Sequence, residues 1–469
     1  MKTQNVDIMI VGAGPVGLMC GYLAKICGLN VFIADQSDGP VPKGRADALN
    51  ARTLQYFEIV NLFEDIYPLG KVCNTSSVWK NGEFLVRRSS WWTELKGCFH
   101  KHFLMIGQSH VERLLIKKNE EAGLNVNRKT RIEDLNVFQD GCETTLSSGD
   151  IIHSKFVIAA DGAHSTIRKK MGIQFNVDKP EIIWAVIDGV ISTDFPKVPE
   201  IIVFQNETSD VAWIPREGNL DRFYIRMDRH DFSQEEVIEK INRAIQPNRL
   251  SFKEIDWFSQ FSVSEGVAEH FSAHERVFLA GDACHVHSVN GGMGLNTGLA
   301  DAFNLIWKLS AVIKSQSDKE ILATYENERK TVATNVVASS GELVRSTKYS
   351  HTGTHAEDYV KIVERRSGYI TGMGVRYGEE TLAGERVHDF KINEGATSTR
   401  LYSKLDYTNH TLIVFDDFER QIDVPDHVRV LRLSSSRSES KPWVENSPYS
   451  HQSILVRPDS FISCAQILN

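Results

Sequence analysis

Apolar positions along the chain repeat with two different periods, and the alternation between them lays out the elements. Residues 6–11, Val6-Asp7-Ile8-Met9-Ile10-Val11, form a short apolar run of strand type. A glycine-rich turn follows, and then a helical pattern in which Leu18, Tyr22, Leu23 and Ile26 share one face. Residues 30–35 predict a second strand, residues 45–57 a helix, and residues 108–115 another helix with Ser109 as N-cap and Glu112 as its capping-box partner. A strand starts at residues 123–126, a hairpin-like stretch covers 137–152, and 155–160 reads as a buried parallel strand running into Asp161-Gly162. Alternation marks residues 76–102 and, at greater length, 182–261, where one amphipathic helix over 234–245 interrupts it. Residues 275–280 return to a buried strand ending in Gly281-Asp282, and helices are predicted over 300–313 and 320–347. Beyond about residue 383 the period shortens again, with strands over 411–415, 428–433 and 453–459.

The first turn carries chemistry. In Gly12-Ala13-Gly14-Pro15-Val16-Gly17, Gly12 permits the tight turn, Gly14 lets the backbone approach a pyrophosphate, and Gly17 lets helix and strand pack closely. Free N–H groups and the positive dipole end of the helix that opens at Pro15 favour a phosphate there. Asp35 closes the second strand about 20 residues on, where an acid can accept the hydroxyls of a ribose. Strand, turn, helix, second strand and acid in register predict a dinucleotide site.

Composition narrows the partners. A chain of 469 residues is long enough for two or three domains. A net charge of −8 gives no general attraction to nucleic acid or acidic membranes, so a small molecule is the expected partner. Seven cysteines without a CxxC suggest reduced thiols and a cytoplasmic location. No apolar stretch reaches the roughly 18 residues of a membrane span, and the N-terminus lacks the form of a signal peptide. His285 and His287 show no neighbouring carboxylate or Cys arrangement in sequence, so no metal site is expected.

Three motifs together resemble the single-component FAD-dependent aromatic hydroxylases: the glycine turn at 12–17; Asp161-Gly162-Ala163-His164-Ser165-Thr166-Ile167-Arg168; and Gly281-Asp282-Ala283-Cys284-His285 running on to Gly291-Gly292-Met293-Gly294-Leu295-Asn296. The resemblance implies an α/β fold: an FAD-binding, Rossmann-like domain (1–75, 103–175 and 265–345), an inserted sheet-rich substrate domain (76–102 and 176–264), a helical linker (346–382), and a small thioredoxin-like domain without CxxC (383–469). It implies FAD held by Gly12, Gly14, Pro15, Gly17 and Asp35, with Asp161, Gly162, Arg168, Gly281, Asp282, Gly292, Gly294, Leu295 and Asn296 around it, joined by Gln108 and Arg45. Arg45 has an alternative reading as a surface charge, as has Arg168. No second GxGxxG exists, so NADPH or NADH is expected as a transient co-substrate. A possible homodimer is a family expectation.

The resemblance is closest to the phenol hydroxylase branch. Lys43-Gly44-Arg45-Ala46-Asp47-Ala48-Leu49 looks like its loop in which the Asp faces the phenol, and residues 213–224 resemble its strand pair bearing an Arg and a Tyr near the substrate. Asp47, Arg216 and Tyr224 are therefore the expected catalytic residues, against the plainer readings of a helix-terminal charge and paired strand residues. The implied reaction is NAD(P)H-consuming hydroxylation of a phenolic compound by molecular oxygen through a flavin C4a-hydroperoxide. Alternatives are a tailoring oxygenase on a polyketide or antibiotic, including Baeyer–Villiger chemistry, and a flavin-binding redox protein without oxygenation. The third motif departs from the family in two places: Val289 replaces a Pro that commonly lies beside the flavin ring, and Met293 replaces a frequent Gln. Trp79, Trp91, Trp92, Trp184 and Trp213 suit either an aromatic pocket or core packing.

Overall fold

The computed structural model describes residues 2–205, 211–346, 356–378, 382–415, 424–438, 441–445, 447–449 and 452–467. The first apolar run forms the strand Thr3–Val11, which pairs in parallel with Ile151–Ala159 on one side and Val31–Ala34 on the other. Val277–Leu279 adds to Ile151–Ala159, again in parallel. Ile8, Met9, Ile10, Val157, Ile158 and Ala159 are fully buried, as near-continuous apolar strands must be when both faces of a parallel sheet are covered. The helix Pro15–Ile26 packs on the helices Gln108–Glu121 and Gly294–Ile313. Consequently the turns that begin at Gly12, Ala160 and Ala280 all leave the same carboxyl edge of adjacent strands.

A seven-stranded sheet runs in the order Leu250–Ser262, Ile183–Thr193, Asp221–Met227, Val211–Pro215, Ile201–Gln205, Ser76–Lys80, Glu83–Arg88. Period-two alternation gives it two apolar faces. Ala185, Ile187, Phe223 and Ile225 pack with Val237, Ile241 and Ala244 of the helix Gln234–Ala244. Trp184, Val186 and Tyr224 form part of a separate cluster on the opposite side. The helix itself starts at a complete capping box, Ser233 with Glu236.

The tail forms a four-stranded sheet in the order Val428–Leu433, His410–Phe415, Gln452–Val456, Ile462–Ile467. Its first pair is parallel and the other two are antiparallel. Among the described residues no helix lies within this unit. Buried polar contacts fasten it to the rest of the chain: Arg457 donates to Glu328 at 2.6 and 3.0 Å, Arg52 donates to the Asp459 carbonyl at 2.9 Å, and the Tyr407 hydroxyl donates to the Phe303 carbonyl at 2.9 Å.

Several element boundaries differ from those the pattern predicts. The helix expected over 45–57 is Ala51–Ile59, because Gly44 and Arg45 adopt left-handed backbone and Asn50 caps the helix by accepting from the Thr53 N–H at 3.0 Å. The helix expected over 108–115 does open at Gln108, but with Gly107 as N-cap in place of Ser109. Ser109 accepts from Arg113 instead of capping, and Glu112 is drawn away to the Val41 N–H at 2.9 Å. The helix expected from residue 300 starts earlier, at Gly294.

Candidate active site

The glycine turn behaves as close packing demands. A Cβ on Gly17 would lie 2.0 Å from the Gly12 carbonyl oxygen, and one on Gly12, whose φ is +101°, would lie 2.3 Å from that of Ala160. Gly14 is different: no protein atom comes within 4 Å of its Cβ position. That open space adjoins the N-terminus of Pro15–Ile26, where no side chain caps the helix among the described residues. Exposed helix N–H groups beside an open cradle form the geometry that takes a phosphate. Asp35 stands at the end of the neighbouring strand, accepting from the Ala13 N–H at 2.6 Å and the Ser37 N–H at 2.7 Å, with Arg128 3.5 Å away.

The second and third motifs complete the cleft edge. Asp161 caps the helix Thr166–Lys170, accepting from the Thr166 and Ile167 N–H groups at 2.7 and 3.2 Å, while its other carboxylate oxygen is buried without a partner. Gly162, φ +78°, leaves its Cβ position open. Arg168 is buried, contrary to its reading as a surface charge. Its guanidinium donates to the carbonyls of Ala283 at 2.8 Å and Ala163 at 2.9 Å, so it ties the second motif to the third and those donors are already engaged. Asp282 opens to the cleft, yet the protein mass around it raises its carboxyl pKa, against the opposing pull of His285 and Arg45. Arg45 is exposed on the left-handed turn, within electrostatic reach of Asp282. Gln108 is half-buried, donating to Glu112 at 2.8 Å.

At the head of Gly294–Ile313 no side chain caps the helix among the described residues, and Gly292, φ +60°, again leaves open space. Leu295 is buried. Asn296 holds the loop carrying Asp47, donating to the Ala48 carbonyl at 3.0 Å and accepting from the Asn50 N–H at 2.9 Å. This side chain is thus fully engaged inside the protein.

Directly beside Gly291 and Gly292 opens a cavity of about 110 Å³. By the same measure one water takes about 10–15 Å³, so the space suits an organic ring. Trp91, Phe103, Trp184 and Ile214 wall it, Leu343 and Val363 close it, and Asp47 and Tyr224 supply its polar end. The Tyr224 hydroxyl donates to the Asp47 carboxylate at 2.8 Å. Burial raises the Tyr224 pKa, with the Asp47 charge adding to the rise, so the phenol stays protonated and able to donate. Of the five tryptophans considered for a pocket, Trp91 and Trp184 line this one, whereas Trp79 and Trp213 pack in the core on the far side of the sheet.

Arg216 does not line the cavity. Its guanidinium is bound to Asp188 at 3.0 Å and to Glu217 at 2.9 and 2.8 Å. The arginine behind the polar end is Arg222, fully buried, which grips Asp188 at 2.6 and 2.7 Å and turns its third nitrogen to Tyr224 at 3.1 Å and Asp47 at 3.4 Å. Neither Arg222 nor Asp188 was among the expected residues. The sequence does carry a signal for both: Arg222 lies two positions before Tyr224 and so on the same strand face, and Asp188 breaks the apolar run 183–190 directly opposite Arg222. A second correction concerns His285, which does have a carboxylate partner. Its Nε2 is 2.7 Å from Asp301, with Cys284 also close, but Asp301 already accepts from Arg329 at 2.7 Å and from the Gly281 N–H at 3.0 Å. The cluster is a paired network that braces the third motif.

Residues 5–340 match the family described as the FAD binding domain. The chain belongs to that family. FAD is its cofactor, and the open cradles at Gly14 and Gly292 with uncapped helix ends beside them fit the group. The resemblance to FAD-dependent aromatic hydroxylases, and with it an oxidoreductase of monooxygenase type, holds. The chain is 28% identical over 445 residues to the 3-hydroxybenzoate 4-monooxygenase of Comamonas testosteroni, covering 85% of this chain and 70% of that protein. It is 28% identical over 395 residues to the phenol 2-monooxygenase fsqG of Aspergillus fumigatus, covering 80% of this chain and 66% of that one. In fold it superposes on the OxyS anhydrotetracycline hydroxylase of Streptomyces rimosus with a TM-score of 0.79 at 24% identity, covering 99% of this chain and 96% of that one. No helix among the described residues is long and apolar enough to cross a membrane, and all seven cysteines are free.

Proposed function

We propose that this flavoprotein uses NADPH or NADH and molecular oxygen to hydroxylate a phenolic compound bound in the cavity between Asp47, Tyr224 and Gly291. The observation that carries the reading is the Asp47–Tyr224 pair at the polar end of an aromatic-walled cavity, beside the open glycine turn. Bound FAD, reduced by the nicotinamide, supplies the oxygen chemistry. One oxygen atom enters the ring and the other leaves as water.

The chain's own residues orient the substrate and manage its proton. A phenol hydroxyl at this end meets the Asp47 carboxylate as acceptor, and withdrawing its proton enriches the ring carbons ortho and para to the oxygen. Tyr224 stays neutral and donates, which positions the carboxylate. Arg222 fixes both from behind, and Asp188 balances its charge. The apolar walls exclude water from the reacting carbon. A tailoring reaction on a polycyclic aromatic is the second reading, favoured by the nearly complete superposition on the OxyS anhydrotetracycline hydroxylase.

Anaerobic reduction of the FAD-loaded protein by NADPH and by NADH, with and without a panel of phenols, tests the proposal. Acceleration by one phenol, followed by a hydroxylated product in air, is the expected result. Reduction indifferent to every monocyclic and polycyclic phenol, with peroxide as the sole oxygen product, would sink it.

A further inference from the structure

We infer that the cavity selects an uncharged phenol and rejects its carboxylated counterparts. The inference rests on the phenol reading above and deepens it to a substrate class. Its basis is the chemistry of the wall. Among the described residues that line the cavity there is no Lys, Arg or His, and the one carboxylate is that of Asp47. The guanidinium in contact with the lining pair Tyr224 and Asp47, that of Arg222, is fully buried behind the wall, where Asp188 holds it through two hydrogen bonds and its remaining nitrogen turns to Tyr224, Asp47 and the Arg45 carbonyl at 2.6 Å. It has no accessible face to offer an anion.

A ring carboxylate entering this space would leave water without a basic partner and would share the cavity with a like charge. Both effects oppose binding, and neither touches a phenol whose other substituents are apolar. The phenol hydroxyl belongs at the Asp47–Tyr224 end, and the rest of the ring lies against Trp91, Phe103 and Ile214. Similarity to a 3-hydroxybenzoate 4-monooxygenase therefore does not bring that protein's carboxylate-bearing substrate with it.

Shape-matched pairs separate charge from size. The FAD-loaded protein is titrated with 3-methylphenol against 3-hydroxybenzoate, and with 6-methyl-2-naphthol against 6-hydroxy-2-naphthoate, reading the dissociation constant from the flavin absorbance change. The neutral member of at least one pair is expected to bind about 100-fold more tightly than its carboxylate. Ala212 lines the cavity directly across from Tyr224 in the sheet, so Ala212→Lys places an ammonium in the wall and should narrow the gap at least about tenfold. If that variant fails to load FAD, the ratio in the unaltered protein still decides. Carboxylates binding as tightly as their neutral partners would overturn the charge selection and leave the phenol reading standing. Failure of all four compounds to perturb the flavin would overturn the phenol reading itself, and this inference with it.

Discussion

Asp47, Tyr224 and Arg222 sit within one hydrogen-bonded group, yet their replacement should have different consequences. Asp47→Asn keeps the shape and removes the acceptor charge, so product formation should fall by about 10²–10⁴-fold with FAD content unchanged. Tyr224→Phe should lower the ratio of product to NAD(P)H consumed more than it lowers FAD content; equal loss of both would mean a folding role instead. Arg222→Met strips the buried Asp188 of two hydrogen bonds and leaves it Arg216 as its cationic partner, a loss of about 1–3 kcal/mol, so the variant should first show a lower urea midpoint. A variant as stable as the parent would remove Arg222 from this account. Two of these residues were legible because a local motif names them. The third was not, since the motif that names Arg216 gives no geometry. Arg216 follows the last residue of the strand Val211–Pro215, so period-two alternation no longer governs where its side chain turns, whereas Arg222 obeys it.

At the scale of the element, the glycine turn separates two requirements that the sequence states as one. Gly17 is needed by the protein itself, since its Cβ would press on main chain at 2.0 Å. Gly14 is needed only by what lies in front of it. Gly17→Ala should therefore destabilise the apoprotein, while Gly14→Val should leave the apo fold intact and abolish FAD retention. Circular dichroism together with flavin absorbance of the two purified variants distinguishes them, and a fully yellow Gly14→Val protein would contradict the cradle. Strand and helix types were legible from periodicity along the parallel sheet and the helices packed on it, but Ala48 and Leu49, read as helix, pair as a strand with Phe103–Met105. Helix starts were legible at Pro15 and Gln234 but not at Ala51 or Gly294, nor was the cap of Gln108–Glu121, because these depend on contacts from afar. Asn296 pins the 48–50 segment in extended form from almost 250 positions away, and Val41 draws Glu112 out of its capping box.

For the whole molecule, the tail is held by charge as well as by apolar packing. Burial alone would raise the Glu328 pKa, but Arg457 and Lys308 outweigh it and bring it down to about 2. An ordinary Glu titrates near 4.3, so the folded value is depressed. The resulting stability is present in full above that ordinary value and is lost as pH falls toward 2. Glu328→Gln should consequently lower the urea midpoint at pH 7, and should show a smaller further drop between pH 5 and pH 3 than the parent; equal slopes would dismiss the pair as a stabilising contact. None of this was legible in the sequence, where Glu328 and Arg457 are separated by 129 positions and neither belongs to a motif. The same long reach has an outcome at the carboxyl edge of the parallel sheet, where turns from near residues 12, 161 and 281 converge. A ligand spanning that edge acts as a removable staple on turns otherwise joined through the sheet and through Arg168, which bridges the second and the third. Unfolding must release it, so each tenfold increase in free FAD above its dissociation constant adds about 1.4 kcal/mol to the folded state. Flavin supply then governs how long the chain survives heat and proteases, quite apart from how fast it turns over.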